Sequence, residues 1–314
     1  MKKIALLGLW HVHSEWYYNC VKDISEVVGV YDDDPQRLEK FCNEYGLHAF
    51  NSEEELLASD ADGVIVCNAT CDHTESMIRI ADAGKDIFTE KVLAITNEEC
   101  ERIAEAVRRN NVKFVISLVF KAFAPQLTVK KVADSGELGK ITSVRYRNCH
   151  SGSSDGWLPP HFYDKKQCGG GAMMDLGAHG MYLIDWILGE PDTYSSAFSY
   201  IYGHEVEDNA VTVMGYKNGA IAINETSFVN SCCPETYEVC GEKGKVYYRK
   251  GPDIQPTVYK ATEATDKKWV EVPPVTPPDW PVVQFATDNV LEGFGLEDAL
   301  RLTRMMEGAY NNAK

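Results

Sequence analysis

The chain of 314 residues lacks long apolar runs and is poor in basic residues. No run approaches the roughly 18 apolar residues that a membrane-spanning helix needs, so we expect no membrane partner. Lys and Arg number 31 against 47 Asp and Glu, which gives a formal net charge of −16. Because contact with nucleic-acid phosphates needs a basic face, we expect no nucleic-acid partner either.

Paired cysteine spacing is also missing. The 10 cysteines form no CxxC pattern, and Cys232 and Cys233 are adjacent. Zinc sites built from Cys and His usually show such spacing, so we expect no metal site. The N-terminal run MKKIALLGLWHVH is too short for a signal peptide and has no small-residue cleavage site, so Lys3–Leu7 is predicted as a strand. These features favour a cytoplasmic protein with reduced thiols.

The first 120 residues alternate between strand and helix patterns, with lengths typical of βα units. The predicted strands are Lys3–Leu7, Val27–Tyr31, Gly63–Cys67, Ile87–Thr89 and Lys113–Ser117, with a weaker one at His48–Phe50. The predicted helices are 13–23, Pro35–Tyr45, 72–83 and 97–109. This alternation indicates an α/β fold with a Rossmann-type, doubly wound parallel sheet.

The pattern changes after about residue 122. A helix is predicted at 125–135, a strand around 141–149, a glycine-led helix at 172–188, several strands between 193 and 260, and a helix at 296–312. Asn218-Gly219 is a hairpin signal. We therefore predict two domains, a dinucleotide-type domain at 1–121 and an α+β domain at 122–314 with a large, mostly antiparallel sheet.

The loop after the first strand stands where a dinucleotide fold carries G-x-G-x-x-G. Its sequence is Gly8-Leu9-Trp10-His11-Val12-His13, so only the first glycine is kept. Asp32 lies at the end of the second predicted strand, 24 positions after Gly8. A carboxylate there can accept hydrogen bonds from ribose hydroxyls and repel a 2′-phosphate, which favours NAD over NADP. The alternative is that Asp32–Pro35 is only a solvated turn and helix cap.

Polar residues also follow two later strands, at the sheet edge where open α/β folds bind ligands. Glu90-Lys91 follow Ile87–Thr89, and a lysine there can donate to a substrate oxygen. Asn68 and His73 follow Gly63–Cys67. The alternatives are a plain surface lysine and a helix-start histidine without a chemical role.

Residues 169–179 read GGGAMMDLGAH. In an α-helix a four-residue step places Asp175 and His179 on the same face, and Tyr182 and Trp186 extend that polar stripe. A carboxylate beside an imidazole supplies the parts of a general base and its partner. Upstream, Trp157, His161 and Tyr163 could contact a sugar or could belong to the core or a lid.

Together these motifs resemble the glucose–fructose oxidoreductase / inositol dehydrogenase (Gfo/Idh/MocA) family over nearly the whole chain. The family's E-K-P is Glu90-Lys91-Val92 here, its G-x-L-G-K-I is Gly136–Ile141, and its G-G-G-x-x-x-D-x-G-x-H is Gly169–His179. The chain departs from the family at the glycine fingerprint and at Val92, which stands in place of proline.

The resemblance implies an NAD-dependent oxidoreductase that acts on a hydroxyl of a sugar, polyol or related cyclic compound. His179 would exchange the hydroxyl proton, Lys91 would polarise the oxygen, and Asp175 would bind substrate. Glu90 and His73 would shape the nicotinamide side.

The loop residues Gly8, Trp10, His11 and Val12, together with Asp32 and Asn68, would hold the rest of the cofactor. Lys91 would touch both cofactor and substrate. The broad second-domain sheet would offer a face for a homodimer or homotetramer.

Two other hypotheses stay open. One is an enzyme that uses NAD transiently to cleave a glycosidic bond. The other is a sugar- or nucleotide-sensing regulator that lost catalysis, which Trp10 and His13 in the glycine loop would explain.

Overall fold

A parallel five-stranded sheet forms the centre of the first part of the chain in the computed structural model, which describes residues 1–314. Its strands are β1 (Lys3–Leu7), β2 (Glu26–Tyr31), β3 (Gly63–Val66), β4 (Asp86–Thr89) and β5 (Phe114–Ile116). They run in the order β2-β1-β3-β4-β5, and every neighbouring pair is parallel. The predicted Rossmann-type sheet is confirmed.

The predicted strand at His48–Phe50 is wrong as a full strand. Ala49 forms only an isolated parallel bridge to Val30, although the Val30 N–H donates to the His48 carbonyl and the Phe50 N–H donates to the Val30 carbonyl. This short segment therefore lies on the outer side of β2. With it counted as a strand, the order becomes 3-2-1-4-5-6, the order of dinucleotide-binding sheets.

Five helices connect these strands. They are α1 (Ser14–Val21), α2 (Pro35–Tyr45), α3 (Glu53–Ala58), α4 (His73–Asp82) and α5 (Asn97–Asn110). The ends of α2 match the prediction because local signals fix both of them. Asp34 accepts hydrogen bonds from two backbone N–H groups at the start, and Gly46 adopts φ 66° at the end.

The second part of the chain contains an eight-stranded sheet. Its strands are β6 (Ile141–Cys149), β7 (Thr193–Ser199), β8 (Asn209–Gly215), β9 (Ile221–Ser227), β10 (Glu235–Gly241), β11 (Gly244–Gly251), β12 (Ile254–Thr262) and β13 (Val270–Glu271). The order is β13-β12-β11-β10-β6-β9-β8-β7, and only the β6–β9 pair is parallel. The large, mostly antiparallel sheet is confirmed, and Asn218-Gly219 lies in the turn between β8 and β9.

The remaining helices are α6 (Ala124–Asp134), α7 (Lys165–Cys168), α8 (Ala178–Leu188), α9 (Pro281–Ala286) and α10 (Leu296–Asn311). None of the helices combines the length and the apolar character that crossing a membrane would require.

The contacts divide the chain into two compact units. The first comprises Met1–Leu118 with Asp279–Thr303, and the second comprises Val119–Pro278 with Arg304–Lys314. The sequence placed a single boundary at residue 121 and did not foresee the return of 279–303 to the first unit. There Phe285 is fully buried, its ring centroid lies 5.8 Å from that of Phe88, and the Phe294 carbonyl accepts from the Ile116 N–H.

We expect Phe285→Ala to lower the free energy of unfolding by about 3–5 kcal/mol, because it leaves a cavity beside Phe88. The measurement is urea unfolding followed by circular dichroism. The matched control is Leu291→Ala in the same returning segment, where the side chain is 45% exposed and the loss should stay within about 0.5 kcal/mol. Equal midpoints for the two variants would contradict the packing described for this segment.

Candidate functional site

Gly8 lets the loop after β1 approach the segment that follows β3. It adopts φ +85°, and a Cβ at this position would overlap the backbone and side chain of Asn68. Its N–H donates to the Tyr31 carbonyl at 2.7 Å. The structure therefore brings together two predicted cofactor residues, Gly8 and Asn68, and explains why this position is glycine.

Two other predicted cofactor residues in this loop differ in exposure. Trp10 is 8% exposed, so its indole is buried, whereas Val12 is 53% exposed. The bulky residue at the second fingerprint position thus leaves little of its surface open to solvent.

Asp32 is buried and fixes the loop to the end of β2. Its Oδ2 accepts from the Leu9 N–H at 2.5 Å, and its Oδ1 accepts from the Asp34 N–H at 2.8 Å and from Arg37 Nε at 3.0 Å. Burial raises the pKa of the Asp32 carboxyl, while these hydrogen bonds act in the opposite direction. The helix-cap role considered for this turn belongs to Asp34 instead.

Glu90 is the centre of a polar cluster at the carboxyl end of β4. It is 2% exposed, and its Oε1 accepts from the Tyr17 hydroxyl. His13 Nδ1 lies 2.6 Å from the same oxygen, and His11 Nδ1 lies 3.7 Å from it. Oε2 accepts from the Lys91 N–H at 3.0 Å. Both carboxylate oxygens are thus held in place.

The charge of Glu90 is stabilised by this cluster. Burial alone would raise the pKa of Glu90, but His11 and His13, followed by Lys91, hold that pKa well below its usual range. Burial and the nearby Glu90 charge raise the pKa of the Tyr17 phenol well above its usual value. Tyr17 and His13 were missed as site residues because the partner carboxylate lies more than 70 positions away in the sequence.

Lys91 and His73 lie close to the same strand end. Lys91 is 6% exposed, and the Lys91–Val92 peptide bond is cis. His73 is 1% exposed, and its Nδ1 lies 3.0 Å from the Leu93 carbonyl. Burial lowers the pKa of His73. A neutral His73 thus contacts the chain two residues beyond Lys91.

In the second unit, two of the three glycines allow a close approach to Glu207 and Tyr310. A Cβ at Gly170 would overlap the Tyr310 hydroxyl, and one at Gly171 would overlap the Glu207 backbone. Glu207 is 1% exposed, and its Oε1 accepts from the N–H groups of Gly171 at 3.0 Å and Met173 at 2.9 Å. The Tyr310 hydroxyl donates to the same oxygen at 2.7 Å. Glu207 thus accepts hydrogen bonds from backbone N–H groups at the start of the predicted helix.

The predicted continuous α-helix at 172–188 is wrong over its first part. Met173–Gly177 is π-helical, and α8 begins at Ala178. Because a π-helix bonds i to i+5, the 3.6-residue repeat does not hold between Asp175 and His179. His179 and Tyr182 of the predicted polar stripe are 6% and 1% exposed, so both side chains are buried.

His179 has a fixed environment within the second unit. Its ring stacks on Phe120 with centroids 4.3 Å apart, and its Nδ1 lies 2.7 Å from the Tyr182 hydroxyl. That hydroxyl oxygen accepts from the Phe120 N–H at 3.1 Å. A hydroxyl oxygen has two acceptor lone pairs, so it can also accept from a protonated Nδ1. That tautomer leaves Nε2 unprotonated for proton exchange.

Asp175 is half-buried and acts electrostatically on His150, a residue that the sequence did not single out. Burial lowers the pKa of His150, and the charge of Asp175 opposes that effect. The His150 ring is stacked on Phe228, with centroids 4.9 Å apart, and its centroid lies 4.7 Å from that of Trp157. No sequence signal marks His150 other than its place directly after β6.

Three of the predicted substrate residues, Trp157, His161 and Tyr163, lie in the segment that follows His150. Trp157 is 55% exposed, and His161 is half-buried. Tyr163 stacks on His204 with centroids 3.8 Å apart. Tyr163 also packs against a buried apolar cluster that consists of Leu158, Phe162, Ala172, Leu176 and Phe228.

Two family descriptions match the chain. Residues 2–118 match an oxidoreductase family with an NAD-binding Rossmann fold, and residues 126–247 match the GFO/IDH/MocA C-terminal domain.

Curated relatives and solved structures are similar to most of the chain. The 1,5-anhydro-D-fructose reductase of Ensifer adhaerens is 24% identical over 79% of this chain and 76% of its own. The glucose-6-phosphate 3-dehydrogenase of Bacillus subtilis is 27% identical over 83% and 77%. The structure of a levoglucosan dehydrogenase with NADH and levoglucosan has a TM-score of 0.84 at 17% identity and covers 99% of this chain and 96% of its own. At that identity, the structural likeness supports the fold alone.

We expect Tyr310→Phe to lower the free energy of unfolding by about 1.5–3 kcal/mol, because it removes a donor to the buried Glu207 carboxylate. Urea unfolding measures the change. The matched control is Tyr200→Phe in the same unit, where the side chain is 51% exposed and little change is expected. Indistinguishable stabilities for both variants would show that the Tyr310 hydroxyl does not support this segment.

Proposed function

Because this chain belongs to the Gfo/Idh/MocA family of oxidoreductases, we propose that it transfers hydride between a nicotinamide cofactor and a carbon that carries a hydroxyl group. The substrate class is a sugar, polyol or related cyclic compound, as the names of its relatives suggest. The observation that carries the proposal is the burial of the two principal groups. Lys91 and His179 are each 6% exposed. The Lys91 N–H donates to Glu90 Oε2, and His179 lies in the first turn of α8.

The first unit has features that fit a dinucleotide. Gly8 provides the tight turn after β1, and α1 begins shortly afterwards at Ser14. The buried indole of Trp10 leaves little bulk exposed at the second fingerprint position. When bound, the nicotinamide ring would supply the hydride acceptor or donor.

In the proposed oxidation, His179 Nε2 takes the hydroxyl proton while the Lys91 ammonium stabilises the developing negative charge on the oxygen. The Tyr182 hydroxyl keeps the imidazole in the required orientation. Asp175 accepts a hydrogen bond from substrate, and its negative charge favours the positively charged form of His150. In the reverse direction the same groups return the proton.

We propose NAD as the preferred dinucleotide. The support is the carboxylate of Asp32 at the end of β2, where its negative charge would oppose a 2′-phosphate. The guanidinium of Arg37 beside Asp32 neutralises part of this charge, so NADP is the competing outcome of a binding measurement.

The segment that carries Trp157, His161 and Tyr163 is the proposed sugar-binding surface. The support is the exposed face of Trp157 beside His150, because aromatic faces offer apolar area for the C–H face of a sugar ring.

We further propose a homodimer or homotetramer that pairs through the eight-stranded sheet. The support is its exposed apolar residues, Val213, Ile221 and Tyr259. A cytoplasmic location is proposed because all 10 cysteines are free thiols in the structure.

We expect Lys91→Ala and His179→Ala each to lower kcat/KM by about 10²–10⁴-fold, because each removes a group that handles charge or a proton in the transition state. The assay follows NADH absorbance over a panel of sugars and polyols. The matched controls are Lys22→Ala and His48→Ala, whose side chains are exposed in the first unit. Near-native turnover in both the Lys91→Ala and His179→Ala variants would contradict the mechanism.

That assay, together with analysis of the NAD retained on the purified protein and calorimetry of nucleotide binding, separates the other two hypotheses. Bond cleavage with no net NADH, together with NAD retained on the purified protein, would favour transient redox chemistry. Failure to bind any nicotinamide nucleotide would favour a sensor.

We expect Gly8→Ala to abolish NADH binding as measured by calorimetry, because the new Cβ would push the loop away from Asn68. Gly46→Ala is the matched control. Gly46 also adopts a positive φ, of 66°, but a Cβ at this position would meet no atom within 4 Å, so NADH affinity should not change. Equal NADH affinities in the two variants would contradict a role for the Gly8 loop. NADPH measured alongside tests the preference set by Asp32.

A further inference from the structure

We propose that His11, His13 and Glu90 form a binding site for a divalent transition-metal ion of the zinc class. Each residue offers one ligand atom, and the three atoms lie within 4.8 Å of one another. All three residues belong to the first unit. Two imidazoles and one carboxylate are a ligand set that zinc-class ions accept, whereas calcium and magnesium prefer oxygen ligands alone.

The separations between the ligand atoms suit such an ion. His13 Nδ1 lies 2.6 Å and His11 Nδ1 lies 3.7 Å from Glu90 Oε1, and the two imidazole centroids are 4.7 Å apart. Ligands placed at about 2.0–2.2 Å from a tetrahedral ion are about 3.4 Å from each other. The observed separations lie on both sides of that value. Side-chain rotations that also release His11 Nδ1 from the His13 N–H, which donates to it at 3.2 Å, would complete the site.

The backbone around the ligands is already fixed, which lowers the entropic cost of binding an ion. The His11 N–H donates to the Cys67 carbonyl at 3.0 Å, and the His13 carbonyl accepts from the Tyr17 N–H at 2.9 Å. The second oxygen of Glu90 accepts from the Lys91 N–H. Outer contacts of this kind orient metal ligands in proteins.

Solvent reaches the site from the side of His13. Its side chain is 37% exposed, whereas those of His11 and Glu90 are 8% and 3% exposed. An ion can therefore enter past the partly exposed imidazole of His13 and be held by two buried groups. A divalent ion would also balance the negative charge of the buried Glu90, with the imidazoles then neutral ligands.

This proposal replaces the expectation of no metal site. That expectation depended on the absence of paired cysteine spacing. Such spacing does not report on this site, because its ligands are two histidines and a carboxylate that lies 77 residues beyond His13. The fold brings Glu90 to the loop, and the sequence shows only an unremarkable His-Val-His.

The test titrates Zn²⁺ into the full-length protein after treatment with a chelator, by calorimetry, and repeats the titration with Co²⁺ by visible absorption. We expect one equivalent of Zn²⁺ per chain and a higher melting temperature with the ion than without it. His13→Ala and Glu90→Gln should each weaken Zn²⁺ binding by at least about tenfold. His48→Ala, which removes an exposed histidine from the same unit, should bind as the parent protein does.

Absence of Zn²⁺ binding to the parent protein would overturn the proposal. So would undiminished binding in His13→Ala, because the ion would then be held elsewhere, for instance by the neighbouring thiols of Cys149 and Cys233. The partly exposed His13 keeps the test decisive even where Glu90→Gln does not fold, and circular dichroism of each variant separates loss of fold from loss of the site.

Discussion

A buried carboxylate must find hydrogen-bond donors or opposite charges, and this constraint organises the candidate residues of both units. Glu90 binds the Tyr17 hydroxyl, two imidazoles and the Lys91 N–H. Glu207 binds two backbone N–H groups and the Tyr310 hydroxyl. In each unit, the segment tied to the carboxylate is the one that carries the proposed chemistry. The two glutamates therefore position the segments that contain the proposed catalytic residues.

Glycine is needed where the chain must pass close to such groups. Gly170 and Gly171 leave room for Tyr310 and Glu207, so the glycine run serves packing within the second unit. At the first fingerprint position, Gly8 does the same against Asn68. The third fingerprint position is His13, whose imidazole binds Glu90. The departure from the fingerprint thus adds a polar contact at the carboxyl end of β4.

Much of the fold could be predicted from local patterns. The strand predicted at Gly63–Cys67 was found because both faces of a central parallel strand are buried, which produces an unbroken apolar run. Helix α2 was found to the residue because Asp34, Pro35 and Gly46 mark its ends. The π-helical turn at Met173–Gly177 was not predicted, because a glycine-led apolar segment has the same pattern whether it bonds i to i+4 or to i+5.

The sequence by itself determined the order of elements, the parallel and antiparallel sheets, the resemblance to the family, and the candidate roles of Lys91, Asp175 and His179. These features depend on short-range periodicity and on motifs whose residues are neighbours in the chain. Only the tertiary structure decided which groups surround Glu90 and Glu207, and that 279–303 returns to the first unit. The contacts of Glu90 with Tyr17 and His13, of Glu207 with Met173 and Tyr310, and of Phe285 with Phe88 join residues at least 34 positions apart. No local pattern records which distant donor a buried acceptor will meet.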